Sequence, residues 1–505
     1  MQEAKQLHAH IIATGLQQQE LYLRKLINFF AISNPSSLYY ARMIFDQIEN
    51  PSTFIYNSMI RAYSASPNPQ QALILYNQMF KNGPSPDKYT FPFLLKACSS
   101  LLDLRKGEET HCQSIKHGFS SNIFVQNSLI HLYGSNAKIN MAHKVFDEMC
   151  DRDVATWTTL VTCNASHGSI EIARRVFDEM PEKSVVSFSA MITGYVRKGR
   201  FKEALELFRD LQIEGLEPND STIMGVISAC ASLGTLDTGR WIHSYIRHRK
   251  GNRFDSRINT ALIDMYFKCG SIKDATNVFV GAKEKHVGEW TAMISGMAIH
   301  GFGERSMELF EDMVRSGVKP NVVTFVGLLS GCTHAGLVKE GLMYFERMKS
   351  EFGIEPTVEH CGCVVDFLGR GGLIDQAVEF MKEMTMEANA AMWGALLNAC
   401  KVHKNIKVAE LAAKWLVREE PWNGAIYMSL LSLYGEVGRW DDVEKVKREM
   451  KEVGCRKSPG CSLIEVNGVC YEFVVGDKSY PPALQVCLKM EELIREVKEK
   501  NLYFA

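Results

Sequence analysis

Cysteine and histidine are the side chains of this sequence best suited to bind metal or to act as nucleophiles, and the chain has 14 of each. No C-x-x-C pair occurs, and the nearest approach to one is Cys361-Gly-Cys363. A zinc deaminase needs that pair together with H-x-E, because two cysteines and a histidine hold the ion while a glutamate moves protons. The sequence also lacks a Gly-rich phosphate loop and a nucleophile constellation, so we expect no catalytic residue, no cofactor and no metal.

The cysteines and histidines instead fall at repeated places in helical patterns, which indicates packing. Cysteines that share one position are Cys98, Cys230, Cys332 and Cys400. Histidines that share another are His8, His111 and His243. Core packing is favoured over a metal or redox role for the cysteines, and an interface between helices for the histidines. Tryptophans predicted to be core anchors are Trp393, Trp422 and Trp440.

Overall charge gives no evidence of a nucleic-acid partner, since 57 basic residues balance 58 acidic ones and the formal net charge is −1. An RNA-binding function would have to rest on a local surface or on contacts to bases. No apolar run reaches the roughly 18 residues that a membrane span requires, so we expect no membrane partner. The N-terminal MQEAKQLHAH has no character of a signal or transit peptide.

An internal repeat organises the sequence. A bulky side chain, usually aromatic, recurs at steps of 31 to 36 residues. Its positions are Phe45, Tyr76, His111, Phe146, Phe177, Phe208, His243, Phe279, Phe310, Phe345 and Met381. Four residues before each lies a small residue, such as Ala41 or Gly239, and an i, i+4 pair shares one helix face. The small residue lets a neighbouring helix approach closely, and the bulky one fills the space beside it.

Each repeat is predicted to be a helix, a turn and a second helix. The first helix is visible in Asn57-Ser-Met-Ile-Arg-Ala-Tyr63 and in Asn127-Ser-Leu-Ile-His-Leu-Tyr133, where apolar residues recur at helical spacing. Glycines expected to form a left-handed turn between the helices are Gly168, Gly199, Gly234, Gly270, Gly301, Gly336 and Gly372.

The repeat units differ in length. They run 20–52, 53–87, 88–122, 123–153, 154–184, 185–219, 220–255, 256–286, 287–321, 322–357 and 358–389. Residues 1–19 form a partial unit, in which His8 has the position of His111. The chain therefore begins within a repeat, and we expect further residues upstream.

These repeats resemble the plant pentatricopeptide repeat (PPR) family of the PLS class, whose mark is this alternation of unit lengths. Gly317-Val-Lys-Pro-Asn321 is similar to the end of a P unit, and Val145-Phe-Asp-Glu-Met149 to an S unit. Lys96-Ala-Cys98 and Ser228-Ala-Cys230 are similar to L units, as is the partial unit 1–19. The resemblance implies an all-α fold, a right-handed superhelical solenoid of helix-turn-helix repeats.

The C-terminal part resembles the E/E+ subgroup of the same family without a DYW deaminase domain. The segment 393–400 is similar to the E1 motif, 427–440 to the E2 motif and 458–466 to the E+ extension. These similarities predict a repeat array over 20–389 and E1- and E2-like helical repeats over 390–457.

An E+-like extension is predicted over 458–505. Within it, alternating side chains on either side of Asn467-Gly468 predict a β-hairpin at about 461–474. The segment from about 483 to 500 is charged and amphipathic and predicts a final helix. The whole fold is therefore expected to end in a small hairpin-plus-helix extension.

Proteins with these C-terminal motifs resemble site-recognition factors for C-to-U RNA editing in mitochondria or chloroplasts. The resemblance implies that this chain binds single-stranded organellar RNA and recruits a DYW-type deaminase in trans, since it lacks the zinc motif itself. Accessory proteins of the multiple organellar RNA editing factor type are implied as further partners. The expected compartment is the mitochondrion, with the chloroplast as the alternative, and a targeting peptide is not present in this sequence.

In this family each repeat recognises one base through its fifth and last residues, here called the recognition pair. The resemblance implies uracil for Asn with Asp, adenine for Ser or Thr with Asn, a purine for Thr with Ser, and a pyrimidine for Met with Asp. The pairs are Asn57 with Asp87, Asn127 with Asp153, Thr158 with Ser184, Ser189 with Asn219, Met224 with Asp255, and Thr291 with Asn321. Pairs that depart from the family's code are Arg24 with Ser52, Pro92 with Asn122, Thr260 with His286, Val326 with Thr357, and Gly362 with Asn389. From unit 53–87 onward the predicted RNA is 5′-U-N-U-R-A-Y-N-A-N-N-3′, with the edited C a short fixed distance 3′ of it.

The second residue of each first helix is expected to press against the bases. Side chains suited to this are Phe54, Phe124, Val186 and Val323, whereas Gly288 and Glu359 suit it poorly. Stacking of this kind contributes about 1–3 kcal/mol per base in related single-strand binders.

Three other interpretations stay open. A single Asn or Thr at the start of a helix is as well explained by capping as by recognition. A protein-binding scaffold of the tetratricopeptide type would show a uniform 34-residue period and a W-x2-L-G-x2-Y signature, which the alternating unit lengths disfavour. A PPR factor for organellar RNA splicing or stability is disfavoured by the E-like motifs.

Overall fold

The computed structural model describes residues 2–15, 19–33, 37–250, 255–454, 461–466 and 469–474. The chain divides into two compact blocks, with the boundary between Val226 and Ile227. The expected final helix over 483–500 and the turn at Asn467-Gly468 lie outside the described residues.

The first block is a succession of helical hairpins. Its helices are α1 Gln2–Ala13, α2 Glu20–Ile27, α3 Leu38–Asp46, α4 Thr53–Ser64, α5 Gln70–Asn82, α6 Thr90–Leu101, α7 Leu104–Lys116, α8 Ile123–Ser135, α9 Ile139–Asp147, α10 Val154–His167, α11 Ile170–Asp178, α12 Val185–Arg197 and α13 Phe201–Ile213. A π-helical segment, Asn28–Ser33, continues α2. The next helix, α14 Asp220–Leu233, spans the boundary between the blocks.

The second block repeats the same hairpin. Its helices are α15 Leu236–Lys250, α16 Ser256–Lys268, α17 Ile272–Gly281, α18 Val287–Ile299, α19 Gly303–Arg315, α20 Val322–Ala335, α21 Val338–Ser350, α22 Val358–Arg370, α23 Ile374–Glu383, α24 Ala390–Val402, α25 Ile406–Glu419, α26 Gly424–Val437 and α27 Trp440–Glu452. Two antiparallel strands follow, β1 Cys461–Val466 and β2 Val469–Val474, with Cys461 opposite Val474. They lie in the segment where the sequence predicts a hairpin.

The helices confirm the predicted all-α fold of helix-turn-helix repeats. In most units the first helix begins at the first residue of the predicted unit, as at Thr53, Val154 and Val322. The last residue of the preceding unit therefore stands directly before a helix, which is the position of an N-cap.

Unit length is set by the second helix. First helices such as α4, α10 and α20 have 12 to 14 residues whatever the length of their unit. The second helix has 9 or 10 residues in the units 123–153, 154–184 and 256–286. It has 13 residues in the 35-residue units 53–87 and 185–219. The difference between short and long units is thus about one helical turn.

An aromatic contact joins successive units. Where both residues are aromatic, the bulky residue of a second helix meets the fourth residue of the next unit edge to face. Ring centroids lie 5.0 Å apart for Phe177 and Phe188, and 5.2 Å apart for Phe310 and Phe325. The sequence predicts the first partner of this contact from its period, but the second partner was not singled out.

Two details of the sequence-based prediction are wrong. Gly168 has a φ of −105° and does not form a left-handed turn, whereas at the equivalent place Ala137 adopts a φ of 57° without being glycine. Trp422 and Trp440 are not core anchors, because they are 70% and 66% exposed. Trp422 lies in the turn between α25 and α26, and Trp440 is the first residue of α27, so neither stands where the repeat pattern predicts burial.

Close approach of helices gives a stability prediction. A Cβ on Gly296 in α18 would lie 2.1 Å from Cδ2 of Phe267 in α16, whereas a Cβ on Gly394 in α24 would meet nothing within 4 Å. Gly296→Ala should lower the free energy of unfolding by about 1–3 kcal/mol through overpacking. Gly394→Ala should raise it by about 0.5–1 kcal/mol, because alanine is the better helix former.

Urea unfolding followed by circular dichroism measures both changes. Equal effects of the two substitutions would show that α16 and α18 are not in close contact in solution.

Candidate nucleic-acid interface

The last residue of a unit satisfies backbone N–H groups at the start of the next first helix, which otherwise have no partner. Oδ1 of Asp153 accepts a hydrogen bond from the backbone N of Thr156 at 2.7 Å. The same bond joins Asn219 to Thr222 at 2.9 Å and Asn321 to Thr324 at 2.9 Å. Ser184 caps in the same way through its hydroxyl, with Ser187 at 3.3 Å. Capping is therefore one role of these residues.

Two of the predicted recognition pairs are joined directly. Nδ2 of Asn57 donates to Oδ1 of Asp87 at 2.8 Å, and Asn57 is only 7% exposed. Nδ2 of Asn127 lies 3.5 Å from Oδ1 of Asp153, which is long for a hydrogen bond. Both pairs bridge the first helix of one unit and the start of the next.

The hydroxyls of other predicted pairs bond elsewhere. Thr158 donates to the carbonyl oxygen of Val154 at 2.7 Å, and Thr260 donates to that of Ser256 at 2.9 Å. These bonds run within the same helix, so neither hydroxyl is held by the last residue of its unit. Thr291 instead bonds to the hydroxyl of Thr324 at 2.8 Å.

Three further residues of the predicted recognition pairs, Ser189, Met224 and Asp255, do not bond to the other member of their pair within the described residues. Ser189 is buried on α12, and in the described chain its hydroxyl takes part in no hydrogen bond. Met224 is half-buried on α14. Asp255 is exposed, accepts from the backbone N of Arg257 at 3.3 Å and forms an ion pair with its guanidinium.

The cap uses one polar atom of the side chain and leaves the other. Within the described residues, every hydrogen bond to the side chains of Asp87 and Asp153 goes to Oδ1, so Oδ2 makes none. In Asn219 and Asn321 the same caps leave Nδ2. An aspartate at this place offers a hydrogen-bond acceptor, and an asparagine offers a donor.

The carboxylate of Asp153 is held in its ionised form. Partial burial would raise the pKa of Asp153, but hydrogen bonds from Thr156 and Asn127 outweigh that and lower the pKa below its ordinary value of 3.8. Near neutral pH the side chain therefore only accepts hydrogen bonds.

Several second residues of the first helices are apolar and exposed, and they are here called the exposed apolar row. Phe54 is 40% exposed, and Phe124, Val186 and Val323 are more exposed than that. Arg24 lies over the ring of Phe54, 4.5 Å from its centroid, so a fifth residue contacts the second residue of the next unit.

Sequence reasoning missed two members of this row. Leu21 and Tyr89 are 61% and 51% exposed and are the second residues of units 20–52 and 88–122. The signal was available, since both stand at the register that identified Phe54.

Sequence reasoning also missed the third residue of each unit, which is often polar although it is buried. The side chains concerned, all 0% exposed, are Thr90, Thr156, Ser187, Thr222, Glu289, Thr324 and His360. A hydroxyl among apolar residues at a fixed place was the visible signal. The distant partners of Thr90 and Thr324, each 33 residues away along the chain, could not be seen in the sequence.

The cysteines and histidines behave as packing residues. Burial raises the pKa of Cys98 to about 11 and of Cys400 to about 12, which keeps these thiols protonated and unreactive. His111 bonds to the hydroxyl of Tyr133 at 2.9 Å, and His243 to that of Tyr266 at 2.8 Å. Among the described residues, no group of three or more His, Cys, Asp or Glu is placed to hold a metal ion.

No described helix is both long enough and apolar enough to cross a membrane.

Comparison with known families agrees with the repeat. The sequence matches the PPR repeat family over residues 51–100, 183–232 and 285–334, and the PPR repeat over 127–154, 155–185 and 323–351. The E motif matches residues 403–465.

A pentatricopeptide repeat-containing protein of Arabidopsis thaliana is 44% identical over 502 residues, covering 99% of this chain and 81% of that protein. The chain belongs to the pentatricopeptide repeat family. Another Arabidopsis thaliana PPR protein, named as chloroplastic/mitochondrial, is 39% identical over 96% of this chain and 74% of its own length. This PPR chain carries the E motif and is a helical-repeat protein.

The crystal structure of the maize PPR protein PPR10 has the same fold. It aligns with a TM-score of 0.54 at 18% identity and covers 90% of this chain and 71% of that one.

The cap by Asp153 predicts a contrast between two substitutions. Asp153→Ala removes the oxygen that binds the backbone N of Thr156, so it should cost about 1 kcal/mol of unfolding free energy. Asp153→Asn keeps an oxygen in that place and should stay within about 0.5 kcal/mol of the wild type, since Asn and Asp are equivalent N-caps. Chemical unfolding measures both, and an equal loss in the two variants would contradict the cap.

Proposed function

We propose that this PPR protein binds single-stranded RNA and recognises successive bases through its recognition pairs. The observation that carries the proposal is the split use of the last residue. One polar atom caps the next helix, and the other is left in a fixed place beside the fifth residue. The exposed apolar row supplies the surface on which bases stack.

The chemistry of the remaining atom matches the bases that the family resemblance implies. Uracil presents a donor at N3, which suits Oδ2 of Asp87 or Asp153. Adenine presents an acceptor at N1, which suits Nδ2 of Asn219 or Asn321. The long side chain of Asn57 leaves room for a pyrimidine, whereas the short Ser189 leaves room for a purine. The proposed target from unit 53–87 onward is 5′-U-N-U-R-A-Y-N-A-N-N-3′.

The finer role proposed is site recognition for C-to-U RNA editing in an organelle. The E motif over 403–465 supports it, together with relatives named as chloroplastic or mitochondrial. A DYW-type deaminase acts in trans, with accessory proteins of the multiple organellar RNA editing factor type, on a PLS-class array in the mitochondrion. The boundaries proposed are a repeat array over 20–389, E1- and E2-like repeats over 390–457, and an E+-like extension from 458.

Protein binding has separate support in the E-motif region. Trp422 and Trp440 are the most exposed tryptophans described there, at 70% and 66%. Exposed tryptophans are typical of protein–protein contacts. A docking role for this region is compatible with RNA recognition by the array, and the two functions would occupy different repeats.

RNA binding is tested with a short RNA carrying U-N-U-R-A-Y-N-A and a second RNA in which G replaces both U. The wild type should bind the first RNA at least about tenfold more tightly, since each correct base contact is worth about 1–3 kcal/mol. The variant Asn57→Thr with Asn127→Thr should reverse or lose the preference, because a shorter side chain admits a purine. Fluorescence anisotropy at fixed ionic strength measures both affinities.

If both RNAs bind alike and the double variant changes nothing, the recognition pairs are misassigned and the protein-scaffold function is favoured. A matched control is Thr333→Val, which alters a buried threonine whose hydroxyl bonds to Leu329 within its own helix.

A single substitution tests the donor–acceptor argument. Asp87→Asn replaces the acceptor Oδ2 by a donor, which suits the acceptor N3 of cytosine. The base preferred opposite unit 53–87 should therefore change from uracil towards cytosine, with the cap retained. Binding to RNAs that differ at this one base measures the change, and an unaltered preference for uracil would contradict the argument.

A further inference from the structure

The buried third residue of a unit contacts the recognition pair of the preceding unit. In unit 88–122 this residue is Thr90. Its hydroxyl lies 2.8 Å from Oδ1 of Asn57 and accepts from the backbone N of Asp87 at 3.0 Å. A third contact, with Oδ1 of Asp87, is longer at 3.1 Å. Since a hydroxyl has one proton, the shortest geometry has Thr90 donating to Asn57.

Thr324 makes the same double contact, whereas Thr156 and Thr222 contact only the last residue of the pair, and Oδ1 of Asn127 has no hydrogen-bond partner in the described chain. Oγ1 of Thr324 lies 2.8 Å from that of Thr291 and 3.0 Å from Oδ1 of Asn321, so it contacts both members of that pair. Thr156 donates to Oδ1 of Asp153 at 2.8 Å, and Thr222 to Oδ1 of Asn219 at 3.0 Å.

Ser187 completes the set. The hydroxyl of Ser187 donates to the carbonyl oxygen of Ser184 at 2.8 Å and accepts from the backbone N of Ser184 at 3.0 Å. Burial of a hydroxyl is unfavourable unless it is hydrogen-bonded, so each of these residues depends on the last residue of the preceding unit.

The identity of the third residue separates nine of the eleven pairs into two groups, while the buried Glu289 and His360 follow the two remaining pairs, those of units 256–286 and 322–357. A Thr or Ser follows the pairs of units 53–87, 123–153, 154–184, 185–219 and 287–321. A buried apolar residue follows the pairs of units 20–52, 88–122, 220–255 and 358–389. These apolar residues are Ile55, Val125, Ile258 and Met392. The second group holds the fifth residues Arg24, Pro92, Met224 and Gly362, which suit base recognition least.

We infer that the buried Thr or Ser is a positioning residue. Each repeat that discriminates between bases then uses three side chains: its own fifth and last residues, and the third residue of the following unit. The inference rests on the proposed RNA recognition and adds to it a rule for which repeats discriminate. Repeats followed by an apolar third residue discriminate less between bases, and this group includes Met224 with Asp255, for which only a pyrimidine is proposed.

The physical reason is the orientation of an amide. The side chain of Asn57 has a carboxylate oxygen against Nδ2 and the Thr90 hydroxyl against Oδ1. Turning the amide over would place Oδ1 against the carboxylate of Asp87, which is repulsive. With both contacts present the donor and the acceptor face fixed directions, as uracil requires. Without the Thr90 hydroxyl, one of the two contacts that orient the Asn57 amide is lost. The repeat should then discriminate less well between uracil and cytosine.

The test replaces Thr90 by valine, which has the same shape and no hydroxyl. Two RNAs are compared that differ only in carrying U or C opposite unit 53–87. The wild type should prefer U, and Thr90→Val should reduce the ratio of the two affinities about fivefold, the size expected for one hydrogen bond. Thr90→Ser restores a hydroxyl and should keep the ratio.

Thr110→Val is the matched control, because Thr110 is equally buried in the same unit and its hydroxyl bonds to Lys106 within its own helix. It should leave the ratio unchanged. Thr156→Val gives an independent trial that acts through the last residue of the pair, because Thr156 bonds to Asp153, and it should alter only the base opposite unit 123–153. This variant also serves if Thr90→Val does not fold.

The outcomes separate the two proposals. A wild type indifferent to the base opposite units 53–87 and 123–153 overturns the RNA recognition itself. A wild type that prefers U, with the preference intact in Thr90→Val or in Thr156→Val, overturns only the positioning role. Loss of preference at every base, or in Thr110→Val as well, would show a general structural effect and also overturn it.

Discussion

The hydrogen-bonded cap between consecutive units is the constraint on which the rest of this structure depends. Each first helix begins with backbone N–H groups that need acceptors, and the preceding unit supplies one from its last side chain. Asp153, Asn219 and Asn321 all act in this way. Because the cap fixes the side chain, it also fixes the polar atom that the cap does not use.

Capping and base recognition are therefore not competing explanations of these residues. A cap needs one oxygen, and both carboxylate and amide provide it equally well. The difference between Asp and Asn lies wholly in the second atom, Oδ2 or Nδ2. Replacing Asp by Asn at the cap therefore leaves the stability of the array nearly unchanged but alters the hydrogen-bonding group offered to a base. The cap fixes the position of that group and does not fix its chemical type.

The repeat architecture could be predicted from the sequence because it follows from residue spacings within and between neighbouring helices. Helix starts such as Thr53 and Val154 follow from spacing, and caps act over three residues. Contacts between units do not show in this way. Thr90 meets Asn57 across 33 residues, and nothing near Thr90 in sequence indicates that its burial depends on a partner. The exposure of Trp422 was likewise beyond prediction, since it stands outside the regular pattern of a helix pair.

The variation in unit length lies in the second helix, while the first keeps 12 to 14 residues in units such as 53–87 and 322–357. Loss of four residues removes about one turn from a second helix and leaves the length of the first helix, which carries the fifth residue, unchanged. A gene of this kind can therefore acquire in-frame deletions or insertions of four codons within a repeat without altering the order of bases that its product faces. The length of a repeat unit and the base that the unit recognises can therefore change independently of each other.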